Sequence, residues 1–268
     1  MPTEVWDVIE RELKFDRNGS LLSDEDLLDV IRPYMDPSWR LISLGPVPTL
    51  DIYFDTAAFS LFRQGASLRL RTRRKSGWSA NFKPDSVDET LHMERRELKT
   101  KLKRKEIGNG LTGDMPGLAF AMGEASVRDF EGASAELAPN VLISTVRRLY
   151  TVRPPDSPEL EGRWADLTGP GLVYFTIDDV VGMDMRGEDI MPIIRSKALD
   201  FTHRRPATDF KILELEASGR FRGMEAEAFS LMNLLGEAVA RDTGMSVLKR
   251  SKYQQAVENL FARSTLHL

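Results

Sequence analysis

Hydrophobic and polar residues alternate along most of the chain. Val8 to Asp16, Thr49 to Asp55, Ala66 to Arg74, Trp78 to Lys83, Leu91 to Lys99, Val146 to Val152, Val173 to Val181 and Phe210 to Ala217 show period-two alternation or β-branched and aromatic enrichment. Each is predicted as a strand. Three segments read as helices instead. Ser23, with Asp26 three residues on, is a capping signal ahead of Leu27-Leu28-Asp29-Val30-Ile31. Ala228, Met232, Leu235 and Val239 recur at helical spacing within Met224 to Arg241, and a shorter helix is predicted for Ser251 to Arg263. The stretch 100–144 follows neither period and is expected to be an insertion between strands, with a helix around Ala119 to Phe130. No internal repeat is visible. One mainly β (α+β) domain spanning 1–268 is therefore expected.

Composition narrows the chemistry. The 268 residues include no Cys and three His (His92, His203, His267), which excludes disulfides and thiolate metal sites and leaves little for a zinc or haem centre. The net charge of -4 provides no global attraction to nucleic acid. No apolar stretch approaches the ~20 residues that span a bilayer. Met1 to Phe15 carries four acidic residues and no continuous apolar core, unlike a signal peptide. A soluble, cytoplasmic protein without nucleic-acid or membrane partners is expected; its oligomeric state is not legible.

The charged residues are sorted by strand. Residues two apart share a strand face, so Glu10, Glu12 and Lys14 point one way while Ile9, Leu13 and Phe15 point the other. Arg69, Arg71 and Arg73 alternate with Leu68, Leu70 and Thr72, and Glu214 and Glu216 with Leu213 and Leu215. A solvated face would mix signs. Here the middle of the chain is basic and its two ends are acidic. If the sheet closes, Glu10, Glu12, Glu214 and Glu216 gather on one wall, where mutual repulsion demands a cation or raised pKa values. Oxygen ligands alone select Mg²⁺ or Mn²⁺. An opposing wall of Arg and Lys suits phosphate.

In sequence order, the chain also carries Glu10-Arg11-Glu12-Leu13-Lys14, Tyr53-Phe54-Asp55-Thr56 and Gly65-Ala66-Ser67-Leu68-Arg69-Leu70-Arg71. These are followed by Trp78 to Lys83, Thr176-Ile177-Asp178, Ile212 to Gly219 and Ser251-Lys252. The series resembles the CYTH superfamily, the triphosphate tunnel metalloenzymes, from about Val5 to Tyr253. The resemblance implies an eight-stranded antiparallel β-barrel tunnel with flanking helices, holding one or two divalent cations and a triphosphate. It implies metal ligands at Glu10, Glu12, Glu94, Asp178, Glu214 and Glu216. Phosphate contacts are implied at Lys14, Arg69, Arg71, Lys83, Arg96, Arg147, Arg148, Lys249 and Lys252, with only one of Arg147 and Arg148 able to face inward. Glu12 and Lys14 would be catalytic, Lys14 as a phosphate contact or general base. Tyr174 departs from the pattern, standing where many members carry an acid.

Two other motifs are set aside. Gly108 to Gly113 matches G-x-G-x-x-G but lacks the preceding strand and following helix of a dinucleotide site. The basic run Lys99 to Lys105 reads as a solvated strand end or a guide for polyanions. The expected activity is metal-dependent hydrolysis of a triphosphate, most simply inorganic triphosphate to pyrophosphate and phosphate. The alternatives are a class IV adenylyl cyclase, a thiamine triphosphatase, a polyphosphate polymerase, or a nucleotide- or polyphosphate-binding module without turnover.

Overall fold

Strand β1 (Val5–Asp16) is hydrogen-bonded along both edges, and this closes the sheet. The computed structural model describes residues 5–73, 77–84, 93–102, 137–155, 171–197, 207–217 and 224–261. The remaining strands are β2 (Arg40–Asp55), β3 (Ser67–Arg73), β4 (Trp78–Lys83), β5 (Met93–Leu102), β6 (Ala138–Arg153), β7 (Val173–Asp184) and β8 (Ala207–Ala217). Their order around the ring is β1-β5-β4-β3-β2-β6-β7-β8, every pairing is antiparallel, and β8 returns to β1. Among the described residues the helices are α1 (Asp24–Ile31), α2 (Ser60–Arg63), α3 (Met191–Ser196), α4 (Glu225–Thr243) and α5 (Lys252–Phe261). The chain is an eight-stranded antiparallel barrel with flanking helices.

Two strands are longer than their sequence pattern. β2 begins at Arg40 rather than Thr49, and β6 at Ala138, so the end of the supposed insertion is strand. Gly45, Pro46 and Pro48 in β2 and Pro139 in β6 disguise these halves. Gly45, at φ +78°, sits at a register shift that lets β2 bend. The helix expected around Ala119 to Phe130 and the glycine motif at 108–113 lie outside the described residues.

The alternation separates two environments. On the outer face, Leu13, Phe175, Leu213 and Leu215 pack against Leu231, Leu235 and Val239 of α4. The contact is close: a Cβ at Gly236 would come within 2.4 Å of Leu13 Cδ1. Elsewhere, Ile52, Leu68, Leu70, Phe82 and Leu98 pack with Ile194 of α3. The inner face carries charge at mid-barrel but is apolar at one end. There Tyr53, Val141, Ile143, Val180, Phe210 and Ile212, in step with Asp51, Asp178 and Glu214, surround Tyr253, Ala256, Val257 and Phe261 of α5. Helix α5 thus fills one end of the interior. Ser251 starts it with reciprocal bonds: its N–H donates to Gln254 Oε1 at 2.7 Å, and its Oγ accepts from Gln254 N at 3.1 Å. No helix among the described residues is long and apolar enough to cross a membrane.

Candidate active site

The register of β1 against β8 assembles the acidic wall. Glu12 lies directly opposite Glu216, and Lys14 opposite Glu214. Glu12, Lys14 and Glu214 are at most 4% exposed, although strongly polar. Lys14 pairs with Glu12, and Lys83 of β4 with Glu10 over the intervening β5. Burial raises the Glu216 carboxyl, and the charges of Glu214 and Glu12 raise it further. Burial and Glu97 push Glu10 up to about 8 despite Lys83, while Lys83 and Arg69 hold Glu97 well below the carboxylate range against its own burial. Glu10 and Glu97 therefore titrate as a pair.

The basic wall stands on β3 and β4. Arg69 donates from Nη1 to Tyr53 Oη at 3.1 Å and from Nη2 to Glu97 Oε1 at 3.2 Å. Asn81 Nδ2 donates to the same Glu97 oxygen at 2.7 Å. Arg71 forms a two-point pair with Asp51, at 2.6 Å from Nε and 2.7 Å from Nη2. Burial beside Arg71 and Arg147 pulls the Arg73 guanidinium down to about 10. Burial and Arg71 also lower Lys99, against Glu97. The walls meet where Arg147 forks onto Asp178, with Nη2 2.9 Å from Oδ2, and reaches Glu214 at 3.3 Å. From the start of α5, Lys252 Nζ lies 2.6 Å from Asp178 and 3.0 Å from Glu214. Lys252 and Arg147 thereby overcome burial and hold the Glu214 carboxyl well below its ordinary range.

The structure brings together Glu10, Glu12, Lys14, Arg69, Arg71, Lys83, Arg147, Asp178, Glu214, Glu216 and Lys252. Three phosphate candidates lie elsewhere. Arg96 is exposed and opposite Ile9, itself 55% exposed, on the outer face. Arg148 is also outside, paired with Asp24 and Asp179, so Arg147 is the inward member of that pair. Lys249 is exposed on the segment joining α4 to α5. Glu94 stands opposite Arg11, at an even position of β5 like Arg96; its side chain is outside the described residues. The inward carboxylate of β5 is Glu97. The sequence signal for it is Leu98, whose apolar side chain must face outward and so turns 97 and 99 inward. Asp51, also missed, is an acid set between Leu50 and Ile52 in β2.

The donor set suits a hard divalent cation: several inward carboxylates, two of them (Glu10 and Glu216) raised by burial and by neighbouring carboxylates, with no His or Cys among them. Among the described residues no three acidic or His side chains are grouped at metal-holding distance. Lys14, Lys83, Arg147 and Lys252 occupy them as ion-pair partners. Interior hydroxyls at Thr145 and Thr176 and Nε of Arg69 have no hydrogen-bond partner among the described residues, leaving donors for a polar ligand.

The family model for the CYTH domain matches residues 9–190. No curated protein matches the sequence. Among solved structures, a candidate adenylate cyclase from Bacillus halodurans is 15% identical with a TM-score of 0.49, covering 93% of this chain and 97% of that chain. A Hippeastrum candidate adenylyl cyclase, described as having a dominant triphosphatase activity, is 16% identical with a TM-score of 0.49, covering 92% and 94%. The Pct1 RNA triphosphatase of S. pombe is 9% identical with a TM-score of 0.29, covering 91% and 82%. The family match spans more than half the chain, from the first acidic strand to beyond Asp178, and the chain belongs to the CYTH domain family.

Proposed function

We propose that the barrel interior binds a triphosphate and hydrolyses it with Mg²⁺ or Mn²⁺, preferring inorganic triphosphate and releasing pyrophosphate and phosphate. One observation carries this reading: Arg69, Arg71, Lys83, Arg147 and Lys252 stand in the same buried interior as Glu10, Glu12, Glu214 and Glu216. Cations held in ion pairs can exchange carboxylate for phosphate oxygen without losing charge compensation. The carboxylates so released, Glu10, Glu12 and Glu214, together with Glu216 opposite Glu12, would hold the metal, which when bound supplies Lewis-acid polarisation of a phosphoryl oxygen.

The chain's own residues bind and orient. Arg69, Arg71 and Arg147 neutralise phosphate oxygens and hold the anhydride in line for attack by water. The water oxygen bonds to phosphorus, the bridging P–O bond breaks, and the leaving phosphate keeps the electron pair. Lys14, paired with Glu12 and opposite Glu214, is held as a cation and is the candidate to contact the attacked phosphoryl group, while the proton of the attacking water ends on a phosphate oxygen of the products. No covalent nucleophile is needed.

The apolar block made by α5 supports a short substrate over a threaded polymer, because a polyphosphate chain would have to pass Tyr253 and Val257. Charge presented from several strands offers its strongest contacts to a bare polyanion, which favours inorganic triphosphate. The test is kcat/KM for inorganic triphosphate, ATP and thiamine triphosphate with each metal. The inorganic compound should rank first, and a higher value for either organic substrate would overturn that assignment.

A further inference from the structure

Asp51 belongs to none of the charged motifs, yet it is 0% exposed and lies among the interior cations. The register sets it directly opposite Arg71, and its two oxygens take that side chain's Nε and Nη2. Nη1 stands outside the fork. Asp51 Oδ1 is also 3.9 Å from Arg69 Nε, the buried atom with no hydrogen-bond partner among the described residues. Arg71 and Arg69 outweigh its burial and hold the carboxyl at about 2, so it is charged at neutral pH.

A fixed anion here works against phosphate affinity. It repels the substrate and occupies two donors of a binding residue. What it supplies is order, because a guanidinium on a long stem otherwise loses rotamer freedom when phosphate arrives. We propose that Asp51 is a positioning residue: it orients Arg71 so that Nη1 is the donor left for phosphate, exchanging ground-state affinity for alignment in the transition state. This rests on the triphosphate reading above.

The prediction separates kcat from KM. Asp51→Asn keeps the shape of the side chain and removes the charge. It should lower kcat for inorganic triphosphate ~10- to 100-fold, the cost of a misplaced catalytic contact. KM should stay level or fall. In an Arg71→Ala background the same change should leave kcat within about twofold, since coupled residues are not additive. Thermal unfolding checks each protein, and Asp51→Glu replaces Asp51→Asn in the cycle if the latter does not fold. Multiplying losses in the double variant, or a raised KM with unchanged kcat, would overturn the assignment. An inactive wild type would instead overturn the functional reading. The four proteins are then compared by calorimetric Kd for inorganic triphosphate: coupled effects support the Asp51 role, while independent effects or no binding at all refute it.

Discussion

Tyr253 Oη donates a 2.7 Å hydrogen bond to Asp55 Oδ2, joining residues 198 positions apart. Asp55 already accepts from Thr56 N and Leu61 N on Oδ1, at 2.7 and 2.9 Å, and from Phe62 N on Oδ2 at 2.9 Å. The Tyr253 ring stacks on Tyr53, with centroids 4.8 Å apart. The Tyr-Phe-Asp-Thr motif is therefore a joint: its acid anchors the start of α2 and its tyrosine seats α5 in the end of the barrel. Lys252, next to Tyr253, reaches the charged interior as a result.

This joint has an order of sensitivity. Tyr253→Phe removes one bond but leaves Asp55 well satisfied and the stack intact, and should cost about 1 kcal/mol of stability. Asp55→Ala strands three backbone N–H groups, each worth about 1–3 kcal/mol when buried, and should cost clearly more. Urea denaturation measures both, and the reverse ranking would refute the joint.

The acidic wall predicts metal dependence. Glu12→Gln and Glu216→Gln keep side-chain size and remove a cation ligand, so activity should fall by at least ~10²-fold. Excess chelator should have the same effect on the wild type. Full activity of both variants would exclude the carboxylates as metal ligands.

Faces can be tested against each other. Arg71→Ala should raise KM and lower kcat together, because phosphate charge is held in both ground and transition states. Arg96→Ala and Arg148→Ala, on the outside of the barrel, should leave both constants within about twofold, as distant independent sites do. A strong kinetic loss at Arg96 would mean that β5 is shifted by one residue.

In metal-free protein, Glu10 sets a pH dependence. Its carboxyl is raised from 4.5 to about 8, chiefly by burial and then by Glu97, so the folded state binds this proton more tightly than the unfolded state. The stabilisation is complete below about 4.5 and is lost as pH rises through about 8. Asp51 behaves oppositely: its contribution is present above 3.8 and lost as pH falls through about 2. Urea midpoints of chelated wild type should fall between pH 5 and pH 9, and Glu10→Gln should flatten that fall. Equal slopes would contradict a raised Glu10.

The charged walls were legible because β1, β3 and β8 place charge on one face and Leu or Phe on the other. Strand β5 has less contrast: Glu94, Arg95, Arg96 and Glu97 run together, and only Leu98 and Leu102, after them, mark the phase. The adjacent Arg147 and Arg148 present the same ambiguity, settled outside the barrel by Asp24 and Asp179. The early halves of β2 and β6 were hidden by Gly and Pro, tolerated because pairing supplies what local propensity lacks. The roles of Asp51 and Tyr253 depend on partners distant in sequence and have no local pattern.

The most direct test of the account is the fate of inorganic triphosphate incubated with the purified protein, followed by ³¹P NMR with Mg²⁺, with Mn²⁺ and with excess chelator. The expected result is equimolar pyrophosphate and phosphate in the presence of metal and none with chelator, while parallel incubation with ATP yields little or no cyclic AMP. No cleavage with either metal, or cyclic AMP as the main product from ATP, would contradict it.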